Sequence, residues 1–103
     1  FALHAMLKMT RTIMAASAAQ VENNDKAIKL YGEAGWTTFF VDSESEEFKC
    51  QLEGQPAYNV TDGNVWDVVF NVLDNRVQID LRGSDGNLQT HFVKTIMMRN
   101  YAK

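Results

Sequence analysis

The densest run of reactive side chains is Asp42-Ser43-Glu44-Ser45-Glu46-Glu47 with Glu53 beyond it. Counted from Asp42, these carboxylates imitate the oxygen ligands of a calcium loop and end on a glutamate at the twelfth position. Such a loop needs a glycine at its sixth position to turn sharply, and this chain has Glu47 there. Phe48, Lys49 and Cys50 also start a strand-like alternation where a loop should still be coordinating. No metal is expected, and the stretch reads as a solvated acidic hairpin.

Two other groups could do chemistry. Cys50 is the single cysteine, and its alternation with Phe48 and Leu52 places it on an apolar face, where a thiol is disfavoured from ionising. His91 follows a turn-forming stretch that can fold its strand back onto the one carrying Asp80, and a His–Asp pair is a conceivable acid–base dyad. Asp80, however, alternates with Arg76, Gln78 and Arg82, so pairing with arginine on a polar face is the expected role. The chain has no phosphate-cradling glycine loop, nucleophile elbow or His-x-x-x-His pair, and Asn59-Val60-Thr61 is a glycosylation sequon only in a secreted chain. No catalytic residue and no cofactor is expected, and a non-enzymatic role is favoured.

Charge narrows the partners. The net charge is −3, but the segment 37–63 carries Lys49 against Asp42, Glu44, Glu46, Glu47, Glu53 and Asp62, whereas the flanking segments are slightly basic. A nucleic-acid reader would show a basic stripe, and none is visible, so direct nucleic-acid binding is not expected. The acidic residues Asp42, Glu44, Glu46, Glu47 and Glu53 instead suit an unidentified protein with a basic surface. One cysteine excludes an intrachain disulfide and suits a reducing, cytoplasmic setting. No run approaches the ~20 apolar residues that cross a bilayer.

These groups must be held by a single small domain, because 103 residues match the length of one core. The sequence opens on Phe1 rather than methionine, so residues 1–5 are read as an added leader, with Met6 or Met9 as the start. Lys8 and Arg11 ahead of residues 13–19 faintly imitate a secretory signal, but the apolar run is short and Ser17 interrupts it. From Thr10 to about Gly35 good helix formers dominate and the spacing of Ile13, Ala16, Val21, Ile28 and Tyr31 predicts helix. Asn23-Asn24-Asp25 favours caps and turns, which allows one helix or two with a break there.

After Gly35 the period becomes two. Strands are predicted over residues 36–41, 48–53, 58–60, 65–73, 76–82 and 88–99, with turns at 42–45, 54–56, 61–64, 74–75 and 83–87. The fold class is therefore α+β, an N-terminal helical segment packed on an antiparallel, curved meander. This order matches cystatin-like and other helix-on-curved-sheet folds in broad architecture, and such a likeness does not carry function.

Residues 65–73 are apolar on both sides: Trp66, Val68, Phe70 and Val72 on one, Val65, Val69 and Leu73 on the other. A helix covers only one sheet face. Val65, Val69 and Leu73 are accordingly expected to form a homodimer interface. The expected function is a non-enzymatic interaction or inhibitor-type module using the acidic hairpin. The alternative is a small-molecule binder or small acid–base enzyme, with a pocket between helix and sheet lined by Trp36, Phe40, Trp66, Phe70 and Phe92.

Overall fold

Helix forms at the very start of the chain. The computed structural model describes residues 2–42, 44, 47–60, 65–85 and 88–101. Its one helix, α1, runs Ala2–Ala15, a stretch free of Gly and Pro and rich in Ala, Leu and Met, all strong helix formers. Ala5, Met9 and Ile13 recur every fourth residue and are fully buried, as a one-faced helix requires. Ala16 bonds back to the Ile13 carbonyl, and the chain's C-terminal segment completes the cap. There the Arg99 N–H donates to the Met14 carbonyl (3.1 Å) and Asn100 Nδ2 to that of Ala15 (3.2 Å), satisfying groups that a helix end leaves open.

The helix expected from Thr10 to about Gly35 is thus displaced toward the N-terminus, and residues 2–5, read as a leader, form its first turn. Most of the expected helix is instead sheet: β1 is Ala18–Glu22 and β2 is Ala27–Gly32. Asn23, Asn24 and Asp25 all take positive φ (52°, 54° and 71°), a conformation these side chains tolerate. They close a hairpin instead of separating two helices. Within it Ile28 and Leu30 point into the core while Lys29 and Tyr31 point away. Local helix propensity of the alanine run is overridden by pairing with a core-facing strand.

The later strands stand close to their expected places: β3 (Gly35–Asp42), β4 (Glu47–Leu52), β5 (Tyr58–Asn59), β6 (Val65–Leu73), β7 (Arg76–Asp85) and β8 (Leu88–Met97). The expected turns at 61–64 and at residues 86 and 87 lie outside the described residues. Asp74 takes φ 54° in the tight β6–β7 turn, as such hairpins demand. Instead of one curved meander, the strands divide into a five-stranded antiparallel sheet in the order β1-β2-β3-β4-β5 and a three-stranded one in the order β6-β7-β8.

One core joins the helix and both sheets. Phe39 is opposed by Ile28 and Cys50 across β2, β3 and β4 and stacks on Phe48 with ring centroids 5.9 Å apart. Val68, Phe70, Val77, Ile79 and Leu81 supply the facing wall, and Met9 and Ile13 of α1 belong to the same cluster. β6 lies against β1 to β4 and is tied to the β1–β2 turn by the Phe70 N–H to Asp25 carbonyl bond (2.8 Å) and the Lys26–Asp67 ion pair (2.7 Å). Among the described residues no helix is long and apolar enough to cross a membrane.

Candidate functional site

The three-stranded sheet turns one face to the core and leaves the other uncovered among the described residues. Register assigns the outer face row by row: Leu73, Arg76 and Met97; Asn71, Gln78 and Thr95; Val69, Asp80 and Val93; Asp67, Arg82 and His91. Alternation explains the assignment, because Val77, Ile79 and Leu81 of β7 are fully buried and their neighbours must point the opposite way. Leu73, Val93 and Met97 are 67%, 55% and 54% exposed, and register groups them on this one face, where a shared apolar patch carries more meaning than single exposed residues. Leu73 and Val69, expected at a dimer interface, both lie on this outer face. Val65 is in β6 too, but its side chain lies outside the described part of the structure.

Polar groups on this face are already arranged. The Asp80 carboxylate meets His91 Nε2 at 2.6 Å and Arg82 Nε at 3.9 Å. Asp80 therefore holds the imidazole in a fixed orientation, the geometry of a His–carboxylate dyad. The His91 and Asp80 side chains are 49% and 38% exposed, so the pair sits on an open sheet surface where a substrate would gain little desolvation. The arrangement fits a fixed surface contact better than proton transfer.

The acidic hairpin is β3–β4. Asp42 faces Glu47 in register, its Oδ1 accepts the Glu44 N–H (2.9 Å), and its Oδ2 lies 3.3 Å from Lys49 Nζ. Glu44 is exposed at the tip, and Glu46 lies outside the described residues. Glu53 stands at the other end of β4, where its N–H donates to the Trp36 carbonyl (2.9 Å). Its carboxylate lies over Gly35, so close that a Cβ there would meet Oε2 at 2.9 Å, and Gly35 also holds φ 99°. Asp42, Glu44 and Glu47 thus form one acidic end, and Glu53 is not part of it.

Of the five aromatics expected to share a pocket, the four whose side chains are described divide between two surfaces. Phe70 is buried in the core, and Phe92 is half-buried on the inner face of β8. Trp36 and Phe40 alternate with the buried Phe39 and so project from the opposite face of the five-stranded sheet. There Trp36 packs against Tyr31 (centroids 5.2 Å) and under Lys29 Nζ (5.4 Å). The Trp66 side chain lies outside the described part of the structure. A cleft between helix and sheet is present, about 450 Å³ in volume, but its wall is formed by Ala15, Leu30, Tyr31 and Thr37. No periodicity signals that grouping, because its members meet only when the C-terminal end of α1 reaches the β2–β3 end of the sheet.

Cys50 is fully buried. Burial pushes its thiol above the ordinary value, and the opposing Tyr58 hydroxyl and the Lys8 charge offset part of that rise. Tyr58 is raised in turn, first by hydrogen bonding with Cys50 and then by burial. A thiol held protonated is a poor nucleophile, so Cys50 acts as a small core residue. Among the described residues no three His, Cys, Asp or Glu side chains gather so as to hold a metal ion. No protein-family model, curated protein or solved structure matches the chain.

Proposed function

We propose that the protein is a non-enzymatic interaction module that pairs with a second copy of itself through the outer face of the three-stranded sheet. The observation that carries the proposal is the exposure of Leu73, Val93 and Met97 together on that face. A like face is the best-suited occupant because Asp67 and Asp80 balance Arg76 and Arg82, so a second copy meets no net charge of its own sign. Three strands ~4.8 Å apart and nine or ten residues long present roughly 470 Å² in projection. Two such faces bury about 1,000 Å², at the lower bound for a specific pair, so the pairing is expected to be concentration-dependent. The interleaving of arginine with aspartate also disfavours nucleic-acid binding, which needs an unbroken basic stripe.

In solution the unmodified protein is expected to move from monomer to dimer mass across the micromolar range in sedimentation velocity. Leu73→Glu places a charge in the apolar row at a position already open to water, and should leave a folded monomer throughout. A monomer at every concentration, or a dimer untouched by Leu73→Glu, would exclude this interface.

The acidic end of β3–β4 is the second surface of the proposed module, directed at a protein with a basic patch. Its support is the exposed Glu44, whose N–H bonds to Asp42, with Glu47 facing Asp42 in register. Such a scaffold of helix and antiparallel strands, which the cystatin-like expectation shares, suits an inhibitor-type or adaptor role. A cytoplasmic location accompanies the proposal. Replacing Glu44 and Glu47 together by glutamine should weaken binding of an oligolysine peptide about 5- to 10-fold at low salt, with little difference at high salt. Equal affinity of the two proteins at low salt would remove this surface from the proposal.

A further inference from the structure

The two edge strands of the three-stranded sheet are chemical counterparts of each other. On the outer face β6 presents Asp67, Val69, Asn71 and Leu73, and β8 presents His91, Val93, Thr95 and Met97. Register through β7 sets them in rows, from Asp67 with His91 at one end to Leu73 with Met97 at the other. Each row thus carries residues of one kind at both edges: an ionisable pair, two valines, two hydrogen-bonding side chains and two large apolar ones.

A face that pairs with its own copy does so about a two-fold axis. Sheets packed face to face lie ~10 Å apart with strand directions within about 30°, which leaves two orientations for that axis. With the axis across the strands, each edge strand lies over its own copy in reverse order. Leu73 then meets the partner's Asp67, Val69 meets the partner's Asn71, and Arg82 meets the partner's Arg76. Apolar groups oppose polar ones, and like charges oppose each other. With the axis along β7, β6 lies over β8 of the other copy and the rows stay in step. Leu73 then meets the partner's Met97, and Val69 meets the partner's Val93. Asp67, whose Oδ1 holds Lys26, keeps a second oxygen for the partner's His91. The central strand faces itself, but Asp80 and Arg82 occupy adjacent rows ~7 Å apart, so Arg82 can reach the partner's Asp80. Arg76 is exposed at the end of the sheet, beside the β6–β7 turn.

We infer that the two copies pair about an axis along β7, with Leu73 against the partner's Met97 and Val69 against the partner's Val93. This arrangement rests on the self-pairing proposed above and adds its orientation and its contacts. Because the axis is two-fold, the assembly closes at two chains.

Charge complementation between two variants tests the orientation. Leu73→Glu and Met97→Lys each put an unpaired charge into both copies of the contact between these residues, and each should be monomeric alone in sedimentation velocity. Both positions are more than half exposed, so urea unfolding should confirm that the folds are kept. Mixed in equal amounts, the two variants should form a one-to-one dimer, identified by its mass in native mass spectrometry and at least about 10-fold tighter than either alone. In that dimer one contact sets the new carboxylate against the new ammonium, and the other keeps the original leucine and methionine. Leu73→Lys should also be monomeric, whereas the reversed orientation would set its ammonium against the partner's Asp67 and keep it dimeric. An unmodified protein that is monomeric at every concentration removes the self-pairing and this arrangement together. A dimer that Leu73→Glu breaks and mixing does not restore leaves the self-pairing in place and overturns the arrangement. So does a Leu73→Lys or Met97→Lys protein that dimerises like the unmodified one.

Discussion

Phe39→Ala is expected to lower the unfolding free energy by about 3–5 kcal/mol, the cost of removing a fully buried phenylalanine and leaving its cavity. Phe39 is at the centre of the cross-strand row Val21, Ile28, Phe39, Cys50 and Tyr58. Its ring stacks on Phe48 with an interplanar angle of 8°, so the row and the stack both lose their filling atom. The neighbouring Phe40→Ala serves as the internal control. Phe40 projects from the opposite face and is only partly buried, so its loss should cost about 1–2 kcal/mol of transferred area. Urea unfolding would show the difference as a shift of midpoint at constant slope. Equal losses for the two substitutions would mean that β3 does not present Phe39 to the core.

That comparison also shows what the residue pattern alone conveys. Phe48, Cys50 and Leu52, and later Val77, Ile79 and Leu81, alternate with polar residues so regularly that a strand with one buried face is the simplest arrangement of each. Trp36 to Val41 are less explicit, because aromatic or β-branched residues occupy both parities and either set could face inward. Register resolves the choice for Phe39, and with it Trp36 and Phe40 leave the interior. For β8 the alternation and the turn before it already bring the His91 strand beside Asp80, and the register makes the full row explicit. His91, Val93, Thr95 and Met97 share a side by count, and pairing with β7 aligns them with Asp80 and Leu73.

The N-terminal third misled for a different reason. Alanine-rich stretches have high intrinsic helix propensity, but propensity is worth only tenths of a kcal/mol per residue. Pairing β1 with β2 and β2 with β3 satisfies their backbone groups and buries Ile28 and Leu30, a larger gain. Asn23-Asn24-Asp25 did mark an interruption. A helix break and a hairpin turn share the same residue chemistry, so the cluster located the turn without naming what it joined. The helix overlaps the expected one only over residues 10–15 and extends back through 6–9 into residues 2–5, which the leader reading excludes.

The clearest demonstration that α1 is integral to the fold is expected from Ile13→Ala. Ile13 is fully buried in the core shared by both sheets, on the same stripe as Ala5 and Met9, and alanine retains the helix propensity of the site. Any loss therefore reports packing and not helix formation. About 2–4 kcal/mol is expected, in the range for buried aliphatic residues truncated to alanine. A second readout separates local loosening from a change in the unfolded chain. The Met14 carbonyl receives the Arg99 N–H, and the Ala15 carbonyl receives Asn100 Nδ2, so a helix end that moves must release the C-terminal segment. Amide exchange at Arg99 should accelerate in Ile13→Ala, while protection at Phe39 falls only by the global loss. Unchanged exchange at Arg99 together with a stability loss under 1 kcal/mol, well below the core-truncation range, would place the helix outside the core.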